Sequence, residues 1–213
     1  MTINVKICGL STPAAVRAAV QGGASHVGFV FFAASPRAVT PDVMAALSMP
    51  VPAAITRVGL FVDASFDEIA AAVATGSLDM LQLHGAETPG MVAQIKERFK
   101  LPVMKAVAIA SDEDIATARL YEITADRLLF DAKPPPGADR PGGNALSFDW
   151  RLIADQEWLL PWMLAGGLEA SNLAEAITTS GATAVDVSSG VEDEPGVKNP
   201  EKIKELLALA GTL

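Results

Sequence analysis

Short apolar runs alternate with Ala-rich stretches of helical spacing along the whole chain. The pattern predicts strands at Ile3–Ile7, Val27–Phe32, Arg57–Val62, Met80–His84, Val103–Ala108, Arg127–Asp131, Leu160–Ala165 and Ala184–Ser188. Helix starts follow them. A capping side chain precedes proline at Thr12-Pro13, Thr40-Pro41, Thr88-Pro89 and Asn199-Pro200. The cap oxygen accepts an orphan N–H, and proline at the first helical position has none to lose. Ser65 with Glu68 predicts a capping box, and Ser111 with Asp114 a weaker one. Eight strand-then-helix units of roughly 27 residues each predict a parallel sheet.

Two architectures share this alternation, a closed (β/α)8 TIM barrel and an open doubly wound sheet. The first strand is followed by no Gly-rich dinucleotide fingerprint. Polar residues also recur at alternate strand positions. Asn4, Lys6 and Cys8 share one face of the first strand, Gln82 and His84 one face of the fourth, Asp186 and Ser188 one face of the eighth. Parallel strands covered on both faces read as unbroken apolar runs, so these polar faces indicate a lumen that opens into a site at its top. The expectation is a single α/β domain spanning residues 1–213, a (β/α)8 barrel. The segment Ala132–Ser147, with Pro134-Pro135-Pro136 and Gly142-Gly143, is long for a βα loop and is expected to cover the strand ends.

Composition narrows the classes. The chain has 213 residues, half of them apolar, and a net charge of −9 from 16 basic and 25 acidic side chains. An acidic chain without a basic cluster argues against nucleic acid as a partner. No apolar stretch is long enough to span a membrane, and no basic-then-apolar leader is visible. One cysteine leaves no internal disulfide and fits a reducing cytoplasm. A monomer is the default expectation, a homodimer the alternative.

Cys8 closes the first strand, in Lys6-Ile7-Cys8-Gly9, where a barrel residue points into the active site. A free cysteine is most often a small buried hydrophobe. Here the strand-end position favours a base or nucleophile, and Lys6 on the same face is expected to lower the thiol pKa. Asp131 closes the sixth strand and is suited to hold a proton as a general acid. Gly166-Gly167 and Ser189-Gly190 follow the seventh and eighth strands, where barrels often bind phosphate. Arg37, in Ser35-Pro36-Arg37, could grip a carboxylate or be a solvated loop residue. His84 is either catalytic or an orienting group, and His26 is placed before the second strand at the bottom face. The two histidines and one cysteine have no metal-ligand spacing.

Taken in order, these residues resemble the phosphoribosylanthranilate isomerase family of tryptophan biosynthesis. The matching pieces are Lys6-Ile7-Cys8-Gly9, Gly28-Phe29-Val30-Phe31, Ser35-Pro36-Arg37, Leu81-Gln82-Leu83-His84-Gly85, Leu129-Phe130-Asp131, Phe148-Asp149-Trp150, Leu164-Ala165-Gly166-Gly167-Leu168, Val185-Asp186-Val187-Ser188-Ser189-Gly190-Val191-Glu192 and Pro195-Gly196-Val197-Lys198. No single piece is specific, but the ordered set is. The resemblance implies an Amadori rearrangement on a phosphorylated aminosugar, without metal or organic cofactor. It implies Cys8 as general base, Asp131 as general acid and Arg37 on the anthranilate carboxylate. Gly166, Gly167, Ser189 and Gly190 would hold the phosphate. Lys6, Gln82, His84, Gly142, Gly143, Asp186 and Ser188 would contact or orient the substrate. The family's usual Gly-Gly-Thr-Gly after the sixth strand reads Gly142-Gly143-Asn144-Ala145 here.

Three other readings compete. A related isomerase of histidine biosynthesis resembles a two-aspartate design, which Cys8 does not fit. A lyase such as the tryptophan synthase α subunit needs a paired Glu and Asp at strand ends, and Phe31-Phe32 stands at the second. A non-catalytic phosphate-ligand binder is the third.

Overall fold

The computed structural model describes residues 2–133, 142, 147–154 and 156–213. Eight parallel strands pair in sequence order and close on themselves. They are β1 (Asn4–Ile7), β2 (His26–Val30), β3 (Thr56–Phe61), β4 (Met80–Leu83), β5 (Val103–Ile109), β6 (Arg127–Ala132), β7 (Trp162–Leu164) and β8 (Ala184–Val187). The barrel shuts where β1 pairs with β8, in a register that sets Lys6 beside Asp186. Each predicted strand is present, with ends moved by two residues at most. His26 lies inside β2 rather than before it.

Seven α-helices surround the sheet among the described residues: α1 (Pro13–Gln21), α2 (Pro41–Ser48), α3 (Phe66–Val73), α4 (Pro89–Phe99), α5 (Asp112–Arg119), α6 (Leu173–Ser180) and α7 (Pro200–Ala210). The four cap–proline pairs start α1, α2, α4 and α7 as predicted. Thr12, Thr40 and Thr88 accept through their hydroxyls from the N–H groups of Ala15, Val43 and Met91. Each such cap stabilises its helix by about 1 kcal/mol. Ser65 and Glu68 form the reciprocal box at α3. At α5 the Asp114 carboxylate accepts from the Ser111 N–H.

Two departures from the regular repeat lie on either side of β7. After β6 the described residues hold no α-helix, only a 3₁₀ turn at Trp150–Leu152. After β8 the chain makes a 3₁₀ turn (Ser189–Val191) and an unforeseen antiparallel hairpin, β9 (Glu192–Glu194) with β10 (Val197–Lys198). Pro195-Gly196 forms its tip.

The core has two layers, as the alternation requires. Ile7, Phe29, Phe61, Phe130 and Val187 pack outward against the helices. Val58, Met80, Met104, Leu129 and Met163 fill the lumen. Each fully buried side chain of this size contributes about 1.5–3 kcal/mol. Above the lumen layer Cys8, Val30 and Leu60 form a small third cluster, the floor of the site. No helix among the described residues is long and apolar enough to cross a membrane.

Candidate active site

Strand alternation sends Val5 and Ile7 toward the helices and Lys6 and Cys8 into the lumen. Lys6 is fully buried, and its Nζ donates to Asp186 Oδ1 at 2.9 Å. A buried ammonium needs such a partner. Burial by itself lowers the Lys6 pKa, but Asp186 and then Cys8 outweigh it and hold it above the ordinary lysine value. Gly28 on β2 makes the room. A Cβ there would lie 3.0 Å from Lys6 Nζ and 3.1 Å from Cys8 Sγ. Gly9, at φ +77°, then turns the chain out of the barrel, and a side chain on it would strike the Arg37 stem.

The expected depression of the Cys8 thiol is corrected by its environment. Burial pushes the thiol above its ordinary value; Lys6 offsets that only in part, and Asp186 adds to the rise. Desolvation of a thiolate outweighs one ammonium that is already shared with a carboxylate. At neutral pH Cys8 therefore rests as a thiol.

Asp131 is the penultimate residue of β6, three strands around the mouth from β1. Its Oδ1 accepts from the Ala132 N–H at 2.8 Å, and its Oδ2 lies 3.1 Å from His84 Nε2. Gln82 Nε2 donates to His84 Nδ1 at 2.9 Å. With Nδ1 accepting, the Nε2–H of His84 points at Asp131 Oδ2. Gly142 crosses close above. A Cβ there would fall 2.6 Å from Asp131 Oδ2 and 2.7 Å from His84 Nε2.

Arg37 is not a solvated loop residue. It is buried, and its Nε and Nη2 donate to the two oxygens of Glu192 at 2.7 and 2.8 Å. Burial pushes the Glu192 carboxyl up, but Arg37 and Lys198 outweigh it and hold it below the usual carboxylate range. Glu192 and Lys198 stand in matched motifs yet had no expected role. Pro195-Gly196 between them was the available signal, a turn dipeptide flanked by opposite charges.

These groups meet at one cleft of about 780 Å³, including its part open to solvent. Cys8, Arg37, His84, Asp131, Gly142, Gly166, Gly167, Asp186, Ser188 and Ser189 all line it. Lys6 and Gln82 lie below the wall and hydrogen-bond to Asp186 and His84, which line it. Gly190 is also absent from the wall. A Cβ there would collide with the Leu168 carbonyl, so only glycine lets the two rim loops pack this closely. Gly143 and Ala145 lie outside the described residues. Gly166 and Gly167 have positive φ, and their N–H groups have no hydrogen-bond partner among the described residues. Unpartnered N–H pairs of this kind at a cleft wall suit an anion. Val30, Phe32, Leu60 and Val62 form an apolar wall beside Arg37.

A thiol and a carboxyl group at the mouth, an arginine beside an apolar wall and free N–H groups after β7 define a (β/α)8-barrel site for a small anionic ligand. A family model described as N-(5'phosphoribosyl)anthranilate (PRA) isomerase matches residues 5–208. An N-(5'-phosphoribosyl)anthranilate isomerase of Paracoccus denitrificans is 52% identical over 210 residues, covering 99% of this chain and 98% of the relative. The crystal structure of phosphoribosyl anthranilate isomerase from Thermotoga maritima superposes with a TM-score of 0.88 at 34% identity, over 99% of this chain and all of that one. A second isomerase structure, in complex with reduced 1-(o-carboxyphenylamino)-1-deoxyribulose 5-phosphate, has a TM-score of 0.83 at 33% identity, again over 99% and 100% of the two chains. The chain belongs to the N-(5'-phosphoribosyl)anthranilate isomerase family, isomerases of tryptophan biosynthesis.

Proposed function

We propose that the cleft converts N-(5'-phosphoribosyl)anthranilate to 1-(2-carboxyphenylamino)-1-deoxyribulose 5-phosphate by general acid–base catalysis, with Asp131 as acid and Cys8 as base. Asp131 protonates the ribose ring oxygen while the anthranilate nitrogen pushes its lone pair toward C1′, opening the ring to a Schiff base. The Cys8 thiolate then takes the proton from C2′. The resulting enolamine gains a proton at C1′ and loses one from the C2′ hydroxyl, giving the ketone. Positioned acids and bases contribute on the order of 10²–10⁴-fold each.

Supporting this reading is one observation above all: Cys8, just past β1, and Asp131 on β6, three strands away around the barrel, line the same cleft. His84 Nε2 lies 3.1 Å from Asp131 Oδ2, which fixes the orientation of the carboxyl group. The Lys6 ammonium compensates the negative charge when the thiolate forms. Arg37 takes the anthranilate carboxylate, with the ring against Val30, Phe32, Leu60 and Val62. The N–H groups of Gly166 and Gly167, with Ser189 on the same cleft wall, take the phosphate. The whole chain acts as one catalytic barrel, and its single free thiol suits the cytoplasm.

The test is the purified protein with phosphoribosylanthranilate, following loss of anthranilate fluorescence. Turnover that depends on the intact chain supports the proposal; no turnover by folded protein refutes it.

A further inference from the structure

The arginine assigned to the carboxylate is not free to choose its direction. Glu192 occupies its Nε–H and one Nη2–H. Three of the five guanidinium N–H donors are left, in a fixed plane. Glu192 is itself held on two more sides. Lys198 Nζ donates to Oε1 at 2.5 Å, and the Gly196 N–H donates to Oε2 at 3.2 Å. Lys198 has no N–H left for a ligand, because its other two go to Ser188 O at 3.0 Å and Ser188 Oγ at 3.1 Å. Ser188 Oγ in turn donates to the backbone carbonyl of Cys8 at 3.2 Å. The hairpin that carries Glu192 and Lys198 is seated directly on the Arg37 loop. Gly196 has φ +90°, and a Cβ on it would lie 2.6 Å from the Pro36 carbonyl oxygen.

A continuous chain of hydrogen bonds therefore runs from Arg37 to the backbone of Cys8, buried and charge-assisted through Glu192 to Lys198 and part-buried from there through Ser188. Outer groups that fix a ligand-binding side chain in this way determine how well it meets its ligand. We infer that Glu192 is a positioning residue for carboxylate recognition: it aims the free edge of Arg37 and, through Lys198 and Ser188, keeps that edge in register with Cys8. The inference rests on the reading that Arg37 takes the anthranilate carboxylate. It adds that selectivity for a carboxylated ring is built by a residue that does not line the cleft.

The test compares phosphoribosylanthranilate with its analogue made from aniline, which lacks the carboxylate. The ratio of kcat/KM for the two substrates is measured in the wild-type protein, Arg37→Ala, Glu192→Gln and Glu192→Asp. Arg37→Ala brings the ratio near one. Glu192→Gln lowers it by about tenfold or more, mostly through KM for the carboxylated substrate, because the fork loses its charge. Should Glu192→Gln fail to fold with two buried cations uncompensated, Glu192→Asp retains the charge and still withdraws the fork by one methylene; its ratio falls in the same direction. A merely structural role would lower both substrates equally. Equal losses, or an unchanged ratio in the folded Glu192 variants while Arg37→Ala collapses it, overturn the role of Glu192 alone. An unchanged ratio in Arg37→Ala overturns the reading of Arg37, and this inference with it.

Discussion

His26 ties the stability of the barrel to pH, and the size of the effect follows from its surroundings. It sits in the lumen at the start of β2, register partner of Lys6, with Ser25 Oγ 2.9 Å from its Nδ1. Burial, then Arg127, then Lys6 lower its pKa from 6.5 to about 4. As pH falls through 6.5 the unfolded chain takes up the proton, whereas the folded chain does so only near 4. Stability is therefore complete above the unfolded value and declines throughout that window. Linkage makes the loss about 2.5 kcal/mol between about pH 7 and pH 4.5, a large part of a domain's margin. Carboxylates also titrate there, so the assay needs a difference. Urea unfolding followed by tryptophan fluorescence is run at several pH values on the wild-type protein and on His26→Asn. The wild type should lose about 2.5 kcal/mol more than the variant over the window. Parallel curves would refute the argument, whatever the variant's stability at neutral pH.

Two further outcomes follow from the site. Gly28→Ala places a methyl group against both Lys6 Nζ and Cys8 Sγ; it should destabilise by about 1–3 kcal/mol, as overpacking does, and lower kcat more than it raises KM. Chemical denaturation with steady-state kinetics checks both, and an unchanged kcat contradicts the geometry. Because burial raises the Cys8 thiol, the ascending limb of kcat/KM with pH should still climb at its ordinary value of 9.0; a plateau already reached by neutral pH would contradict that direction.

The strands and helix starts were legible because their signals are local. Val5 and Ile7 alternate with Lys6 and Cys8 at a period of two, and a threonine before proline marks a helix wherever it stands. The groups lining the cleft were legible for a related reason: a barrel sends strand-end residues to one face, so Cys8, His84, Asp131 and Asp186 converge whatever the distances between them in sequence. Quantities that depend on competition in space were not legible. The Cys8 thiol has a lysine two residues away in either description, but only the fold shows that Asp186 holds that lysine and that burial dominates. Arg37 could be read as solvated until its fork with Glu192, 155 residues distant, was seen. That Gly190 packs against the Leu168 carbonyl, where a side chain would not fit, shows only in the fold.

The claim that proton transfer is divided between one sulfur and one carboxyl group is tested most directly by separating binding from chemistry. Cys8→Ala and Asp131→Asn are each titrated with the reduced product analogue and assayed for turnover of phosphoribosylanthranilate. Analogue affinity within about threefold of wild type, with turnover lower by at least about a hundredfold in each variant, is the predicted result. Near-full turnover by either variant would contradict it.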